Sequence, residues 1–433
     1  MIPLLEDKRI LLGVTGGISV YKVCALASHL TQAGAQVDVV MTEAATRFVT
    51  PLTFEALTGR VAYTDMWRTS GPALPPRVLV AVGGAEGEGL PTHIAHVGLA
   101  HAAGLLVIAP ATANTLAKLA AGLADNLLTT LALAASCPVL AVPAMDAGMW
   151  SHPATQANVA ALRDRGVYFA GPVCGRMASG LEGEGRMMEP DEILGHIRRV
   201  LGREGSLVGQ RVVVTAGPTR EPLDPVRFLS NPSSGRQGLA LAQAALDRGA
   251  STTLIAGPIA LPTPAGAERV DVTTAQEMHD AVVSAVEGAD VLLMAAAVAD
   301  YRPPAATSQK IKKGEDDLTL RLVRTPDILS AVAKRRAETG FPRVVAGFAA
   351  ESEDLVENGR AKLAAKNLDL IVANDITARD AGFAVETNRV VLIGRDGSVE
   401  ELPLMPKSAV AEAILDRLLS LLSNQPTNPF TSL

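Results

Sequence analysis

The sequence predicts an α/β protein with two doubly wound parallel-sheet domains. Short, continuous apolar runs alternate with helical patterns, which is typical of parallel strands buried on both faces. The same alternation restarts after a polar stretch in the middle of the chain. The chain has 433 residues, of which 48% are hydrophobic and only 3% aromatic. It is therefore long enough for two cores, and its composition favours packed α/β layers.

Four apolar runs predict the buried strands of the first half: RILLGV, QVDVVM, LLVIAP and PVLAVP. Helical patterns such as VYKVCALASHLTQAG separate them. The stretch 127–145 contains no charged residue and is long enough to raise the question of a membrane helix. Pro138 and Pro143 interrupt it, so we interpret it as a core helix followed by a buried strand.

A second series of strands predicts a second sheet: RVVVTAG, STTLIAG, DVLLMAAAV, RVVAGFAAE, DLIVAND and the alternating RVVLIG, before a closing helix. The stretch HIRRVLGREGSLVGQ passes from an amphipathic helix into a polar link, which puts the boundary near residues 190–207. We therefore predict domains at 1–195 and 207–433. The Pro- and Gly-rich stretch 70–90 indicates an irregular insertion.

Charge and cysteine content exclude several classes of protein. A net charge of −6, without a basic face or stacking aromatics, argues against a nucleic-acid partner. Three cysteines in so long a chain argue against a disulfide framework and for a reducing compartment. The first apolar stretch is too short for a signal peptide and has no cleavage site, so we expect none. These features predict a cytoplasmic protein with no membrane segment.

Two polar loops between a strand and a helix are suited to hold an anion: the turn in RILLGVTGGISVYK and SNPSSGRQG at 230–238. The first is not a dinucleotide fingerprint, and the next strand ends in Thr42 rather than in an acidic residue, which favours a mononucleotide. A third loop carries Thr112, Asn114 and Thr115 at the same sheet edge. Tight turns and helix caps without a ligand are the competing interpretation.

Motifs in both halves resemble known families. TEAATRFVTPLTFEALTG, HVGLAHAAGLLVIAPATANTLAKLAAGLADNLL, PAMDAGMW and GLEGEGRMMEP resemble the flavin-dependent cysteine decarboxylases. The second half is similar to phosphopantothenate–cysteine ligase in VTAGPTREPLDPVRFLSNPSSGRQG, AAAVADYRP, QKIKK, RTPDIL, GFAAE and KLAAKNLDLIVAND. In this order, the two halves resemble the bacterial bifunctional coenzyme A biosynthesis family over nearly the whole chain.

The resemblance implies an N-terminal flavodoxin-like flavoprotein and a C-terminal Rossmann-like ligase. The ligase joins L-cysteine to 4′-phosphopantothenate with CTP and Mg²⁺, through an acyl-cytidylate. The flavoprotein then uses FMN to decarboxylate 4′-phosphopantothenoylcysteine to 4′-phosphopantetheine. FMN is required because the cysteine carboxylate has no electron sink until the thiol-bearing carbon is oxidised. Trimeric decarboxylase and dimeric ligase contacts are implied as well, and hence a homo-oligomer.

For the decarboxylase, the resemblance makes His96 the catalytic base, although the family's H-I-x-L is H-V-G-L here. The residues alone do not choose among His93, His96 and His101. The implied flavin-binding residues are Gly16, Gly17, Ile18, Thr42, Thr112, Ala113, Asn114, Thr115 and Ala144.

Two positions depart from the family pattern. In the substrate motif, which includes Met145, Asp146 replaces Asn, and an ionised carboxylate there repels a substrate carboxylate unless its pKa is raised or a cation intervenes. In the lid motif, which ends in Gly185 and Arg186, Ser179 replaces the proton-donating Cys. The thiol of Cys174 nearby is one candidate replacement. Water or another lid donor is the competing candidate.

For the ligase, the resemblance assigns Asn231 and Arg227 to the acyl-cytidylate and Lys310 to neutralising phosphate charge. On composition alone, the Lys310 segment is better explained as a solvated charged hairpin. Lys362 and Lys366, four apart, share one helix face and are expected to reach a triphosphate. The implied substrate-binding residues are Met294, Ala295, Ala296, Ala297, Asp300, Pro326, Asp327, Ile328, Leu329, Phe348, Lys362 and Lys366.

Two other classes remain open at this point. A Rossmann dehydrogenase or epimerase would ordinarily carry a Tyr-x-x-x-Lys pair, which the chain lacks. A catalytically silent flavin-binding regulator is the other class, against which His96 and the ligase motifs argue. The residues do not distinguish CTP from ATP, and they name no ligands for Mg²⁺.

Overall fold

The computed structural model describes residues 1–66, 95–313, 317–351, 354–375 and 385–423, without the side chains of 95, 96, 351 and 375. The predicted insertion at 70–90 lies outside the described residues. The chain divides into two compact units, Met1–Leu201 and Gly202–Leu433. Each unit is described by itself.

The first unit alternates strands and helices as predicted. Its elements in chain order are the 3-10 helix Pro3–Leu5, β1 Arg9–Val14, α1 Val20–Gln32, β2 Gln36–Met41, α2 Glu43–Thr46, α3 Pro51–Thr58, β3 Ala62–Tyr63, α4 Ala95–Ala102, β4 Leu105–Ala111, α5 Ala113–Ala121, α6 Leu127–Ala134, β5 Val139–Pro143, α7 Ala147–Ser151, α8 Pro153–Asp164, β6 Tyr168–Phe169, β7 Val173–Arg176, β8 Glu182–Arg186 and α9 Pro190–Gly202.

The first sheet is parallel, in the order β3-β2-β1-β4-β5-β6. Without the two-residue edge strand β3, this is the flavodoxin-like order. Ile10 and Leu12 of β1 pack into the core on one face, while Leu11 packs into the core on the other. Because helices cover both faces of the sheet, the strand sequences are continuously apolar and do not alternate between apolar and polar residues.

The uncharged stretch at 127–145 is core, as predicted. It forms α6 and β5, and Leu128, Leu131 and Leu140 are almost completely buried. Asn126 begins α6 with a capping box, since its side chain accepts the Thr129 N–H at 3.1 Å. None of the described helices has the length and apolar character that crossing a bilayer requires.

The second unit repeats the alternation. Its elements in chain order are β9 Arg211–Ala216, β10 Arg220–Pro222, β11 Phe228–Ser230, α10 Arg236–Asp247, β12 Ser251–Ala256, β13 Glu268–Asp271, α11 Ala275–Ala285, β14 Val291–Met294, β15 Tyr301–Arg302, β16 Val323–Arg324, α12 Ile328–Thr339, β17 Val344–Glu351, α13 Leu355–Ala365, β18 Leu370–Asp375, β19 Thr387–Gly394, β20 Val399–Pro406 and α14 Lys407–Ser423.

The second sheet has the order β13-β12-β9-β14-β17-β18-β19-β20. Pairing is parallel from β13 to β18, which gives the Rossmann order, and antiparallel in the added hairpin β19–β20. Val212 and Val214 of β9 pack into one core and Val213 into the other. The prediction of two doubly wound α/β units is therefore confirmed.

The structure also departs from the sequence pattern in places. The run DVLLMAAAV was predicted to be one strand, but β14 ends at Met294. The following residues leave the sheet and pass over its carboxyl edge, where Ala297 N donates to Gly217 O at 2.9 Å. Three two-stranded ribbons, β7–β8, β10–β11 and β15–β16, were not predicted. Their strands are too short to show a period of two.

Candidate functional sites

The first unit has a cavity of about 820 Å³ at the carboxyl edge of its sheet. The loops after β1 and β4 both line it. These adjacent strands are where the strand order reverses, the place where open α/β sheets bind ligands. The predicted residues that line this cavity are Gly16, Gly17, Ile18, Thr42, Thr112, Ala113, Asn114, Thr115, Ala144, Met145, Asp146, Ser179, Gly185 and Arg186.

Two threonines of the cavity also cap helices. Thr42 Oγ1 accepts the Ala45 N–H at 3.3 Å at the start of α2, and Thr112 Oγ1 accepts the Thr115 N–H at 3.3 Å at the start of α5. The two interpretations of these residues, cap and site, are thus compatible. Because a capping hydroxyl is held in place, both helix N-termini are fixed against the cavity.

The second glycine of the turn after β1, Gly17, leaves room for a ligand beside the backbone. A Cβ on Gly17 would meet only Pro110 Cγ at 3.7 Å and Thr112 Cγ2 at 3.9 Å, on the cavity side. The helix that follows, α1, begins without a hydrogen bond from its N-cap side chain. Its positive end and an unobstructed backbone suit the phosphate of a mononucleotide, so these residues fit FMN.

A hairpin made of β7 and β8 covers part of the cavity. Met145 N donates to Gly185 O at 2.9 Å, and a Cβ on Gly185 would lie 2.4 Å from Met145 O. A Cβ on Gly183 would lie 2.7 Å from Ala147 Cβ. The glycines of the lid motif therefore allow β8 to lie directly on segment 145–147.

The two departures from the family pattern meet at this hairpin. Ser179 Oγ lies 3.3 Å from Asp146 Oδ2, and the other carboxylate oxygen, Oδ1, accepts the Gly148 N–H at 3.0 Å. Both side chains line the cavity. Cys174 lies instead on β7, is exposed and does not line the cavity.

A buried lysine in the cavity was missed by the sequence reasoning. Lys22 is 6% exposed; its Nζ donates to Met187 O at 2.9 Å and to Glu189 Oε1 at 2.8 Å. Arg186 also pairs with Glu189. The hydrogen bond from Lys22 holds the pKa of Glu189 below its usual value, against the effect of its partial burial. This network ties the lid hairpin to α1; no local motif in the sequence indicates it.

The predicted base, His96, belongs to α4, and its side chain lies outside the described residues, as does His93. His101 is exposed in the last turn of α4.

The second unit has a cavity of about 260 Å³ at the matching edge of its own sheet, between the loop that leads from β11 into α10 and the segment that follows β14. The predicted residues that line it are Asn231, Ala295, Ala296, Ala297, Asp300, Phe348 and Lys362. Asn231 Nδ2 donates to Val298 O at 3.0 Å, and Lys362 Nζ donates to Phe348 O at 2.9 Å. These bonds orient an amide and an ammonium at the cavity.

Other predicted ligase residues lie outside the lining of this cavity: Arg227, Met294, Lys310, Pro326, Asp327, Ile328, Leu329 and Lys366. Lys366 pairs with Asp327, whose side chain caps α12, and lies 3.3 Å from Ser330 Oγ. The shared helix face of Lys362 and Lys366 therefore does not bring both ammonium groups to the cavity. Met294 is 7% exposed and packs in the core.

Arg227, itself exposed, is held by the buried carboxylate of Asp224. The carboxylate of Asp224 accepts N–H groups from Val226 at 2.8 Å, Arg227 at 2.9 Å and Ile311 at 3.1 Å. The guanidinium of Arg227 pairs with Asp224 at 2.7 Å and also donates to Ile311 O. Burial acts to raise the pKa of Asp224, but these hydrogen bonds lower it to about 2. Lys310, the neighbour of Ile311, is exposed.

Some cavity residues of the second unit were not predicted. They are Ser233, Ser234, Gly235, Arg236, Gln237, Gly238, Val298, Ala350, Asn374, Asn388 and Lys407. Burial lowers the pKa of Lys407, and the nearby Arg236 adds to this effect. The polar loop at 230–238 had been predicted to hold an anion, but Asn231 was its only residue assigned to the site. Asn388 and Lys407 come from the added hairpin and α14, which no local motif connects to the site. Among the described residues, no group of His, Cys, Asp or Glu is arranged to hold a metal ion.

Together, the fold and the two cavities define an α/β protein of two units, each with a cavity at the carboxyl edge of its own parallel sheet. Family models match both halves: residues 4–202 match the flavoprotein family, and residues 207–422 match the C-terminal domain of the DNA/pantothenate metabolism flavoproteins.

The relatives extend over both halves. The coenzyme A biosynthesis bifunctional protein CoaBC of Bacillus subtilis is 44% identical over 96% of this chain and 98% of its own. That of Mycobacterium tuberculosis (strain H37Rv) is 44% identical over 96% and 97%. A crystal structure of a CoaBC C-terminal domain is 38% identical over 51% of this chain and 100% of that chain, with a TM-score of 0.44. The chain belongs to the family of bifunctional coenzyme A biosynthesis proteins, enzymes with decarboxylase and ligase activities.

Proposed function

We propose that the second unit joins L-cysteine to 4′-phosphopantothenate with CTP, through an acyl-cytidylate, and that the first unit decarboxylates the product, 4′-phosphopantothenoylcysteine, to 4′-phosphopantetheine with FMN. One observation carries the proposal. Each unit has its own cavity at the switch point of its own sheet, lined by residues that match one of the two activities.

The choice of FMN is supported by the loops of the first cavity. Thr42 ends the loop after β2 where a dinucleotide site ordinarily has an acidic residue. Gly17 and the N-terminus of α1 would hold the phosphate, and Thr112 and Asn114 would hold the other side of the cofactor. Bound FMN would supply a reversible hydride acceptor, which makes an electron sink beside the carboxylate.

The chain's own residues bind and orient the substrate of the first cavity. Arg186 brings a guanidinium to the lid side, which suits the phosphate or carboxylate of the substrate. The hairpin above segment 145–147 would exclude water from the reacting carbons. We assign His96 as the base by its match to the family motif.

In the second cavity, the N-terminus of α10 and Lys362 would bind the triphosphate, with Mg²⁺ carried by the phosphate oxygens. Asn231 and Lys310 would act on the acyl-cytidylate, with Lys310 neutralising charge as the carboxylate attacks the α-phosphorus. Lys310 is exposed, and its neighbour Ile311 is held by Asp224. This role therefore requires the Lys310 side chain to reach bound nucleotide from outside the cavity lining. We also propose a cytoplasmic homo-oligomer with trimeric decarboxylase and dimeric ligase contacts.

The test is a reconstituted reaction. The purified protein is incubated with 4′-phosphopantothenate, L-cysteine, Mg²⁺ and either CTP or ATP, while pyrophosphate and carbon dioxide are followed. We expect both products with CTP and a flavin absorption band in the protein. Pyrophosphate release with ATP but not with CTP would overturn the choice of CTP as the nucleotide. Absence of carbon dioxide from supplied 4′-phosphopantothenoylcysteine would overturn the decarboxylase assignment.

A further inference from the structure

We propose that a smaller cavity of the second unit binds L-cysteine, with Arg302 holding its carboxylate and Glu221 its ammonium group. This small cavity has a volume of about 180 Å³ and shares no lining residue with the larger cavity assigned to CTP. Its lining includes Glu221, Pro222, Thr274, Arg302, Pro303 and Ala306. The inference rests on the function proposed for the second unit.

The buried carboxylate of Glu221 is the first observation. Glu221 is 1% exposed, and its Oε1 accepts the Ala275 N–H at 2.8 Å. Among the described residues, this is the one hydrogen bond that the carboxylate makes, and it forms no ion pair. A carboxylate removed from water ordinarily has a cation or several donors beside it. The second oxygen therefore lacks the partner that a ligand ammonium group would supply.

Arg302 supplies a positive charge to the same cavity. Its Nε–H is buried and finds no acceptor in the described part of the chain. Its Nη1 lies 3.5 Å from Pro303 O, which is a weak contact. Within the described ranges no ion pair joins Arg302 to Glu221, although both line the small cavity. A guanidinium matches a carboxylate in bidentate geometry, so an amino acid between the two side chains would satisfy both.

The charges of the two cavities suit different ligands. The charged residues that line the larger cavity are three cations and one carboxylate: Arg236, Lys362, Lys407 and Asp300. That excess of positive charge suits anions such as a triphosphate. The small cavity has one charge of each sign. A zwitterion complements both charges, whereas an anion is repelled by Glu221.

The size and the remaining lining of the small cavity favour a small amino acid. Its volume lies below the roughly 300 Å³ at which sites for drug-sized ligands begin. Pro222, Pro303 and Ala306 add apolar groups to the lining, which suit a thiol-bearing side chain because a thiol behaves as a small hydrophobic group. L-cysteine is the zwitterionic substrate of the proposed ligation, so we assign it to this cavity.

Two neighbouring segments connect the small cavity to the larger one. Thr219 N donates to Ala297 O at 3.3 Å, and Ala299 N donates to Thr219 Oγ1 at 3.0 Å, so segment 218–222 lies beside segment 297–302. Asp300 lines the larger cavity, and Arg302 lines the small one. Two residues span at most about 7 Å of chain. Cysteine held at Arg302 is therefore next to the site where the acyl-cytidylate would form.

The ligation step requires an amine at that position. The nitrogen of cysteine attacks the acyl carbon of the acyl-cytidylate and forms the C–N bond of the amide. The bond between that carbon and the phosphate oxygen breaks, and CMP leaves with the electron pair. The ammonium group loses one proton before the attack and a second after it, and both pass to solvent. Arg302 and Glu221 contribute by binding and orienting the amino acid.

The first experiment separates the two half-reactions in the whole chain. Pyrophosphate release from 4′-phosphopantothenate, Mg²⁺ and CTP is measured without an amine, and the KM for L-cysteine is then measured at saturating CTP. We expect Glu221→Gln and Arg302→Gln each to raise this KM at least about tenfold, since each removes one charge-assisted hydrogen bond. Pyrophosphate release in the first turnover should stay within about twofold of the parent.

Two features make these variants well controlled. The amide of Glu221→Gln can still accept the Ala275 N–H, so the start of α11 keeps its bond. Arg220→Gln is the matched control, because Arg220 is the chain neighbour of Glu221 but is exposed and does not line the small cavity. Its KM for L-cysteine should stay within about twofold of the parent, as is usual for an exposed charge.

The second experiment replaces L-cysteine by cysteamine, which has the ammonium group and the thiol but no carboxylate. The product, 4′-phosphopantetheine, is measured directly. We expect Arg302→Gln to lose kcat/KM with L-cysteine but to keep the parental value with cysteamine. Glu221→Gln should lose kcat/KM with both amines. Arg302→Lys, which retains the positive charge, should recover part of the preference for L-cysteine over cysteamine.

The outcomes that would overturn the assignment are specific. If Arg302→Gln lowers kcat/KM equally with both amines, the guanidinium does not bind the carboxylate. If Glu221→Gln keeps the parental KM for L-cysteine, the small cavity does not hold the amino acid. If the parent itself releases no pyrophosphate from 4′-phosphopantothenate and CTP, the proposed ligase function is wrong instead.

Discussion

At the scale of single residues, Gly16 and Gly17 are adjacent in the chain but have different surroundings. A Cβ on Gly16 would lie 2.5 Å from Ala44 Cβ and 2.8 Å from the Ala44 carbonyl carbon, whereas one on Gly17 would meet only side-chain atoms at 3.7 Å or more. Backbone cannot move aside cheaply, so the first glycine serves close packing. The second leaves space on the cavity side.

We therefore expect Gly16→Ala to lower the stability of the first unit by about 1–3 kcal/mol. Gly17→Ala is the matched control and should melt near the parent temperature, because its added methyl makes only ordinary contacts. Thermal unfolding and the flavin absorbance of the purified proteins check this. If the two substitutions destabilise the protein equally, the space around each glycine does not decide whether an added methyl group is tolerated.

Lys362 and Lys366 make a second pair at this scale. Lys362 Nζ lies at the cavity, held by Phe348 O, while Lys366 pairs with Asp327 outside it. We expect Lys362→Ala to raise the KM for CTP about 10- to 100-fold, because the variant loses one charge-assisted hydrogen bond to the nucleotide.

Lys366→Ala should change this KM by less than about fivefold, since a partly exposed ion pair contributes about 0–1 kcal/mol. Steady-state kinetics of pyrophosphate release measure both values, with decarboxylation as an internal control. A larger effect at Lys366 would mean that its pair with Asp327 opens when CTP binds.

At the scale of elements, the buried carboxylate of Asp224 joins the loop before β11 to the segment that carries Lys310. It accepts the N–H of Ile311, and Arg227 donates to the carbonyl of the same residue. The segment also bonds Leu223 O through Thr307 N at 3.0 Å. Arg227 can therefore affect ligation by positioning this segment rather than by touching substrate.

We expect Asp224→Asn to reduce ligation at least about tenfold while leaving decarboxylation of supplied 4′-phosphopantothenoylcysteine unchanged, because the anchor loses its charge but Arg227 remains. Limited proteolysis near residues 307–313 should become faster. If Asp224→Asn keeps full ligase activity while Arg227→Ala loses it, Arg227 acts on the substrate directly.

The same carboxyl predicts a dependence on pH. Its pKa is about 2 in the folded protein, below the ordinary value of 3.8. A lowered folded pKa contributes stability that is complete above the ordinary value and is lost as the pH falls toward 2. The melting temperature of the second unit should therefore decline less steeply between pH 4 and 3 in Asp224→Asn than in the parent. If the melting temperature falls with pH equally steeply in both proteins, the charge of Asp224 does not stabilise the folded second unit.

Sequence reasoning predicts the position of a residue well where it lies directly after a buried strand. Thr42 and Thr112 could be placed at the edge of the first sheet because parallel strands bring their carboxyl ends to one edge. It failed for Lys22 and Lys407, which reach their cavities from the inner sides of helices. A lysine within an amphipathic pattern looks like an ordinary surface residue, and only the packed fold reveals its burial.

At the scale of the whole molecule, α9 decides where the first unit can be cut. Ile193, Ile197 and Val200 of α9 pack into the core of that unit, with exposures of 0%, 0% and 5%. The predicted domain limit at residue 195 falls inside this helix. The limits 1–195 and 207–433 therefore leave its last two turns in neither fragment.

We expect a fragment 1–202 to bind flavin and a fragment 1–195 to be less stable by at least about 3 kcal/mol, since it loses two buried aliphatic side chains. Fragment 207–433 should form 4′-phosphopantothenoylcysteine alone. Urea unfolding and the ligase assay measure these outcomes. A folded 207–433 fragment without ligase activity would count against the independence of the second unit.

The hairpin that extends the second sheet also determines how that sheet meets other chains. Strand β20 ends the sheet among the described residues, and an unpaired strand edge is a template for aggregation. Glu400 and Glu401 place negative charge on this edge, and Pro403 and Pro406 remove two N–H donors. At the opposite edge, β13 carries Glu268 and Asp271. A newly synthesised second unit therefore has both edges protected against intermolecular strand pairing before it meets any partner.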